Sequence, residues 1–312
     1  MDFGTIITTI LMLTVQEGSI LLFATLGEIF TERSGILNLG LEGMMIIGAL
    51  TSFTIVYTTG NYLLAVLLAI TASLMLSLVH AFASISLRVN QTVSGLAITI
   101  LGLGLSSFLG RPLALSRARV EPIPAIPIPI LKDIPIVGSA FFNQNIIVYL
   151  SYILAFLVWF ILFKTNFGLN VRSVGENPSM ADSLGINVFA IRYISTAVGG
   201  ALCGLSGALL ILGYYPSWYD GITLGRGWIA VALVIFSSWN PLYAIAGAYF
   251  FGMMGTLNST FQSIGFYAIP ADFFRMLPYT LTILVLTIFS YTKSKKKFGV
   301  PAALGQPYSR ES

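Results

Sequence analysis

Apolar runs long enough to cross a bilayer recur along almost the whole chain, and no other feature restricts its fold so tightly. A hydrocarbon core about 30 Å thick needs a helix of about 18 to 25 mostly apolar residues. Within it every backbone amide and carbonyl must find an internal partner, which runs of this length do as helices. The predicted spans are about Thr5 to Gly27, Gly35 to Tyr57, Leu63 to Ala83, Val93 to Leu109, Ile146 to Phe163, Tyr193 to Leu212 and Met276 to Tyr291. Gly227 to Trp239 is short for a full crossing and reads as a tilted or re-entrant helix, broken at Asn240-Pro241 before Leu242 to Leu257 returns. The fold class is an all-α polytopic membrane protein with nine transmembrane or part-spanning helices. At 56% hydrophobic and 9% charged, the chain has no stretch left for a soluble domain, so residues 1–312 read as a single transmembrane domain. The first run is long enough to span and lacks a small-residue cleavage pattern, so no cleavable signal is expected.

The interruptions carry the information. Glu28 to Ser34 reads as a loop, and Gly35 to Gly43 is so polar and glycine-rich that a broken helix is expected there. Residues 111–145 form the one long non-spanning segment; Pro122, Pro124, Pro127, Pro129 and Pro135 are too closely spaced for a helix and predict an extended cap on the membrane surface. Lys293, Lys295, Lys296 and Lys297 mark the basic tail, 292–312, as cytoplasmic. Counting back from that tail puts the N-terminus outside and the 164–192 loop inside, with ten of the sixteen Lys and Arg on the inner side. If Gly227 to Leu257 were one span, that loop and the tail would lie on opposite sides.

Charge at the bilayer centre costs at least about 2.5 to 3.5 kcal/mol, which singles out Glu17 and Glu42. They suit either a polar pathway for a solute or ties between neighbouring helices. Asn38, Asn90 and Gln91 can hydrogen-bond a polar solute, and they suit turns and helix caps equally well. Trp218, Tyr219 and Trp239 read as interfacial anchors, and the lone His80 as structural. Gly200, Gly204 and Ala208, and later Ala244, Ala248 and Gly252, form small-residue stripes that mark helix seams. Cys203 is the only cysteine, so neither an internal disulfide nor a Cys/His metal site is expected.

Between two spans lies a polar island, Gly175-Glu176-Asn177-Pro178-Ser179-Met180-Ala181-Asp182-Ser183-Leu184-Gly185-Ile186. Asn177 suits an N-cap, Pro178 the first helical position, and Gly185 a left-handed end. The resulting helix, Pro178 to Leu184, is too short to be stable alone and reads as a docking peg for a soluble partner. No G-x-x-x-x-G-K-[ST] phosphate loop occurs in the chain, so any ATP that drives it is bound by another subunit.

The island resembles the cytoplasmic coupling helix of ABC importer permeases, whose Glu, Ala and later Gly correspond to Glu176, Ala181 and Gly185. Glu32-Arg33-Ser34-Gly35-Ile36-Leu37-Asn38-Leu39-Gly40-Leu41-Glu42-Gly43-Met44-Met45 resembles the early motif of permeases for nucleosides and simple sugars. Asn90-Gln91-Thr92-Val93-Ser94-Gly95, Gly225-Arg226-Gly227-Trp228-Ile229-Ala230, Trp239-Asn240-Pro241, Met276-Leu277-Pro278-Tyr279 and Pro301-Ala302-Ala303-Leu304-Gly305-Gln306-Pro307-Tyr308 follow in family order. On these residues the chain is identified as a member of the nucleoside-type branch; Asn38 to Glu42 differs from the Asp-Leu-Ser pattern of ribose-type relatives. Ser237-Ser238 departs from the family, where a Gly commonly precedes Trp239.

The resemblance implies an alternating-access permease without covalent chemistry of its own. It also implies three partners: an ABC ATPase subunit that binds ATP and Mg, a second and different permease chain, and an extracytoplasmic solute-binding lipoprotein, all at a bacterial cell membrane. No cofactor is expected on this chain and no nucleic-acid partner. Purine nucleosides such as guanosine are the favoured cargo, with simple sugars or riboflavin-like solutes as the alternative. An ion-coupled secondary transporter is the competing mechanism. A membrane enzyme fits poorly, because no carboxylate pair stands at an obvious catalytic spacing.

Overall fold

The computed structural model describes residues 3–263 and 299–310, with isolated positions from 273 to 287 between them. Apart from those positions, the predicted last span, Met276 to Tyr291, and the lysine cluster lie outside the described residues. In chain order the helices are α1 (Phe3–Arg33), α2 (Leu41–Thr59), α3 (Tyr62–Ala81), α4 (Gln91–Leu115), α5 (Val137–Phe142), α6 (Ile146–Lys164), α7 (Asn166–Glu176), α8 (Pro178–Ser183), α9 (Val188–Leu209), α10 (Arg226–Phe236) and α11 (Pro241–Ser263). Among the described residues, six helices are long and apolar enough to cross a membrane, and two shorter apolar helices, Arg226–Phe236 and Pro241–Leu257, follow them.

Asparagine and threonine start most of the helices that follow α2. Side-chain oxygens of Asn61, Asn90, Asn145, Thr165, Asn177 and Asn187 accept amide hydrogens from the first turns of α3, α4, α6, α7, α8 and α9. Each cap satisfies a donor that no carbonyl of its own helix can reach. Single π turns end two of the spans, Phe82–Ser86 after α3 and Leu210–Tyr214 after α9.

Two expectations are corrected here. Glu28 to Arg33 is helical and continues α1, because Glu28, Glu32 and Arg33 all find partners inside the bundle and the helix need not stop where apolar residues do. The non-spanning segment begins only after Leu115: α4 runs through Pro112, whose carbonyl still accepts from Ser116 N at 3.1 Å. Beyond it the chain is mostly irregular, apart from one 3₁₀ turn, the short α5, and the two-residue strands β1 (Ile126–Pro127) and β2 (Asn143–Gln144), paired antiparallel.

The glycine stripes are seams. α9 lies at the centre, with Gly199 against Gly27 of α1, Gly200 and Gly204 against Ser77 and Ser73 of α3, and Gly204 also against Gly48 of α2. A Cβ added at Gly48 would stand 2.8 Å from Gly204 O, so these backbones touch directly. Gly252 of α11 meets Gly18 of α1, and Thr14 and Thr256 share a hydrogen bond of 3.1 Å, which makes the two helices antiparallel neighbours.

That pairing fixes how the chain passes through 227–257. Trp239 lies beside Glu32 and Arg33 at the end of α1, whereas Arg226 reaches Glu17 halfway along it. α10 therefore covers about half the depth, roughly 16 Å for its 11 residues. The other half of the crossing is the irregular stretch Tyr215 to Gly225, and α11 is a separate return pass. Trp218 and Trp239 are each buried, not exposed as interfacial anchors; the Trp239 indole N–H donates to Glu32 Oε2.

Candidate functional site

Among the described residues two crossings are unwound, at Gly35–Gly40 before α2 and at Tyr215–Gly225 before α10, and the helices that follow meet around buried charge. Arg226, 5% exposed, holds Glu17 with two parallel contacts, Nε to Oε1 at 2.7 Å and Nη2 to Oε2 at 3.0 Å. Its guanidinium also packs near the rings of Tyr214 and Tyr215, at 5.8 and 5.5 Å from their centroids. Arg226 Nη1 donates to Thr223 O at 3.1 Å. The fork geometry matches carboxylate and guanidinium, and this is how two charges persist away from water.

Glu42 closes the other side. Its Oε1 accepts from Thr223 Oγ1 at 2.5 Å and Gly225 N at 3.0 Å, and its Oε2 accepts from Gly227 N at 2.7 Å. A carboxylate thus caps the first turn of α10, where unpaired amides and the helix dipole favour negative charge. Gly227 permits the approach, since a Cβ there would lie 2.8 Å from Glu42 Oε2.

Of the residues singled out from the sequence, Glu17 and Glu42 are therefore brought together through Arg226 and the α10 terminus. Asn38 and Gln91 brace the Gly35–Gly40 turn instead: Asn38 Oδ1 accepts from Gly40 N at 2.9 Å, and Gln91 Oε1 from Leu37 N at 2.7 Å. The Asn38 amide donates to Glu28 Oε1 at 2.9 Å. Asn90 caps α4 by accepting from Val93 N at 3.2 Å. His80 bridges Ser94 Oγ at 3.0 Å and Leu37 O at 3.2 Å, a structural role. Arg226 is the partner that reading the sequence missed. Its signal was an arginine at the start of an apolar stretch too short to span, hidden because it was counted with the flanking loop.

At the end of the bundle where α1 stops and α9 starts, α7 and α8 form a two-helix elbow. Gly175 of α7 packs on Arg33 O. Asn177 caps α8 by accepting from Met180 N at 3.0 Å, Pro178 occupies its first turn, and Gly185 ends it at φ +85°. Ala181 is buried and its carbonyl accepts from Ile186 N at 3.0 Å, which pins the elbow. The opposite face is open. Met180 and Leu184 are 62% and 76% exposed and border a groove of about 390 Å³ with Arg33, Arg172 and Glu176.

The segment 299–310 laces this elbow to the membrane helices. Ala303 N donates to Gly175 O at 2.9 Å, and Gly305 N to Gly35 O at 3.1 Å. The buried Arg192 of α9 donates to Gln306 O and to Ser34 O, both at 3.3 Å. Asp182 on α8 accepts from Arg310 Nε at 2.8 Å. The same segment thus touches α7, α8, α9 and the unwound turn before α2.

Residues 8–286 match the family described as "Branched-chain amino acid transport system / permease component". The chain is 40% identical to the putative glucose ABC transporter permease protein TsgC13 of Haloferax volcanii, over 96% of each chain. It is 40% identical to the guanosine ABC transporter permease protein NupQ of Bacillus subtilis, over 98% of this chain and 100% of that one. It is 36% identical to the nucleoside ABC transporter permease protein NupC of Lactococcus lactis subsp. cremoris, over 86% and 88%. No solved structure matches. A polytopic helical chain whose relatives align end to end, and whose family match covers all but its extremities, belongs to the transport-system permease components of this family.

Proposed function

We propose that this chain is the permease subunit of an ATP-driven importer of nucleosides, with purine nucleosides such as guanosine as cargo. The observation that carries the reading is full-length likeness to a guanosine permease at 40% identity, joined to an exposed, capped elbow at α7–α8. A soluble ATPase subunit grips Met180 and Leu184, and Glu176, Arg172 and Arg33 supply charge around them. The α8 end is then cytoplasmic and the N-terminus of α1 extracytoplasmic. ATP and Mg are bound by that ATPase, a different permease chain completes the pore, and an extracytoplasmic binding lipoprotein delivers the cargo.

Force applied to α8 has a short route inward. The elbow rests on Arg33 and on segment 299–310, and these contact Gly35 and Trp239, at the elbow ends of both unwound crossings. Halfway along those crossings stand Glu42 and Arg226, with Glu17 of α1 against them. Movement of α8 as a rigid lever shifts α2 and α10 together, which changes the polar centre they share. In this conformer Glu17 and Glu42 are paired to protein groups, and their exchange of partners during the cycle is what opens a polar path.

The test is ATP hydrolysis by the chain reconstituted with the ATPase, permease and binding protein encoded beside it. Stimulation by guanosine-loaded binding protein supports the reading. Stimulation by glucose and not by nucleosides would transfer the cargo to simple sugars, in keeping with the glucose-named relative. A chain that binds no ATPase and whose uptake collapses with an uncoupler would be a secondary transporter.

A further inference from the structure

A cleft of about 500 Å³ opens at the other end of the bundle, between α4 and the loop that follows the π turn of α9. Its depth follows from α4. The first residue of that helix, Gln91, supports Leu37 near the elbow end, and Ser107 lies 16 residues on, roughly 24 Å along a helix. The cleft therefore faces the side opposite α8, where a delivered solute first meets the permease in the importer reading.

Its walls are held from below. Trp218, 4% exposed, packs on Gly110 of α4, where any Cβ would overlap the indole nitrogen, and its ring lies 6.2 Å from that of Phe53. The loop is tied to the segment after α4 by Val120 N to Pro216 O at 2.9 Å and by a bridge between Arg119 and Ser217. The polar groups line the cleft above this frame. Asp220 Oδ1 accepts from Ser107 Oγ at 2.6 Å, while Asp220 Oδ2 has no donor among the described residues. Arg111 lines the same cleft and makes no hydrogen bond or ion pair among the described residues. The Trp218 indole N–H likewise has no acceptor there. Phe108, one turn from Arg111, is 77% exposed.

A half-used carboxylate, a free guanidinium, an indole and a bare aromatic ring form an unusual set on the outside of a transmembrane helix. Together they match a neutral solute with vicinal hydroxyls at one end and a flat heteroaromatic ring at the other. A carboxylate accepts from hydroxyls, a guanidinium or indole donates to ring nitrogens and carbonyls, and the ring stacks. The volume falls in the roughly 300–1,000 Å³ range of small-molecule sites.

We propose that the cleft formed by Ser107, Phe108, Arg111, Trp218 and Asp220 is a cargo subsite at the entry side of the permease, taking a nucleoside through its ribose hydroxyls and base. This rests on the nucleoside reading above. It assigns Asp220 to the hydroxyls, Arg111 to the base edge and Phe108 to stacking.

The test uses the complete importer in proteoliposomes, with radiolabelled guanosine as probe and two readouts: uptake, and ATP hydrolysis stimulated by guanosine-loaded binding protein. The variants are Asp220→Ala and Gly104→Trp. Gly104 lines the cleft and a Cβ there meets nothing, so a larger side chain starts into open space. Expected is a fall in uptake of about tenfold, the scale of one hydrogen bond to a charged group, with stimulated hydrolysis within about twofold of wild type. Uptake unchanged in both variants overturns the subsite. Uptake and stimulation falling together also overturns it, and makes this face the docking surface of the binding protein. Wild type that carries glucose and no nucleoside overturns the cargo reading, and the assignment of the cleft with it; guanosine uptake by wild type with unaffected variants removes the subsite alone.

Discussion

Arg226 and Glu17, 209 residues apart in the chain, meet as a two-point fork with contacts of 2.7 and 3.0 Å, halfway along α1. Removing either partner leaves the other charged and buried. Glu17→Met or Arg226→Met is expected to cost about 3–5 kcal/mol, whereas the double replacement by apolar side chains recovers most of that loss. Thermal unfolding of the purified protein in detergent checks it, and equal damage from single and double variants would show that the pair does not act as a unit.

Glu42 acts through α10. Its carboxylate accepts from Thr223, Gly225 and Gly227, so Glu42→Ala strands buried donors at about 1–3 kcal/mol each and frees the start of α10. Uptake per assembled complex is expected to fall by about tenfold or more, a larger factor than the fall in the amount of assembled complex itself. Wild-type uptake by this variant would reduce Glu42 to a helix tie with no part in the transport cycle.

At α8 the same surface reading separates docking from folding. Met180→Asp with Leu184→Asp alters exposed side chains and is expected to abolish co-purification of the ATPase while membrane insertion is unchanged. Gly185→Pro places a fixed φ of about −65° where the backbone needs +85°, and is expected to give the same loss through the elbow's geometry. Normal ATPase recovery with the first variant would remove α8 as the grip.

Segment 299–310 should behave as a brace whose strength is in its backbone. Arg310 is largely exposed and its pair with Asp182 is worth at most about 1 kcal/mol, so Arg310→Ala is expected to be silent. Arg192→Met loses donors to both Gln306 O and Ser34 O, and is expected to leave ATP hydrolysis running with reduced uptake. Comparing the ratio of uptake to hydrolysis for the two variants tests this; equal ratios would mean that the brace transmits nothing.

Periodicity and caps make the helices legible in the sequence. Apolar length marked the spans because a bilayer admits little else, and Asn177, Pro178 and Gly185 marked α8 because each solves a local backbone problem that needs no distant residue. The same local logic located the unwound opening of α2 from its glycines and polar residues. It failed at Glu28 to Arg33, where charge looked like the end of a helix. Whether a buried acid is tolerable depends on what stands opposite it, and the groups opposite, Asn38 N, Trp239 and Gly299, come from elsewhere in the chain.

What the sequence by itself determined was the long apolar helices among the described residues, the family and the capped turn of α8, all of them properties of contiguous residues. Only the tertiary structure decided that Glu17 pairs with Arg226, that Glu42 caps α10, that α10 starts only halfway through, and that Ser107, Arg111 and Asp220 share a cleft. Each of these joins residues more than a hundred positions apart or depends on the depth at which a helix ends. Apolar periodicity says which face of a helix is buried and carries no information on which polar group of another helix will be waiting there.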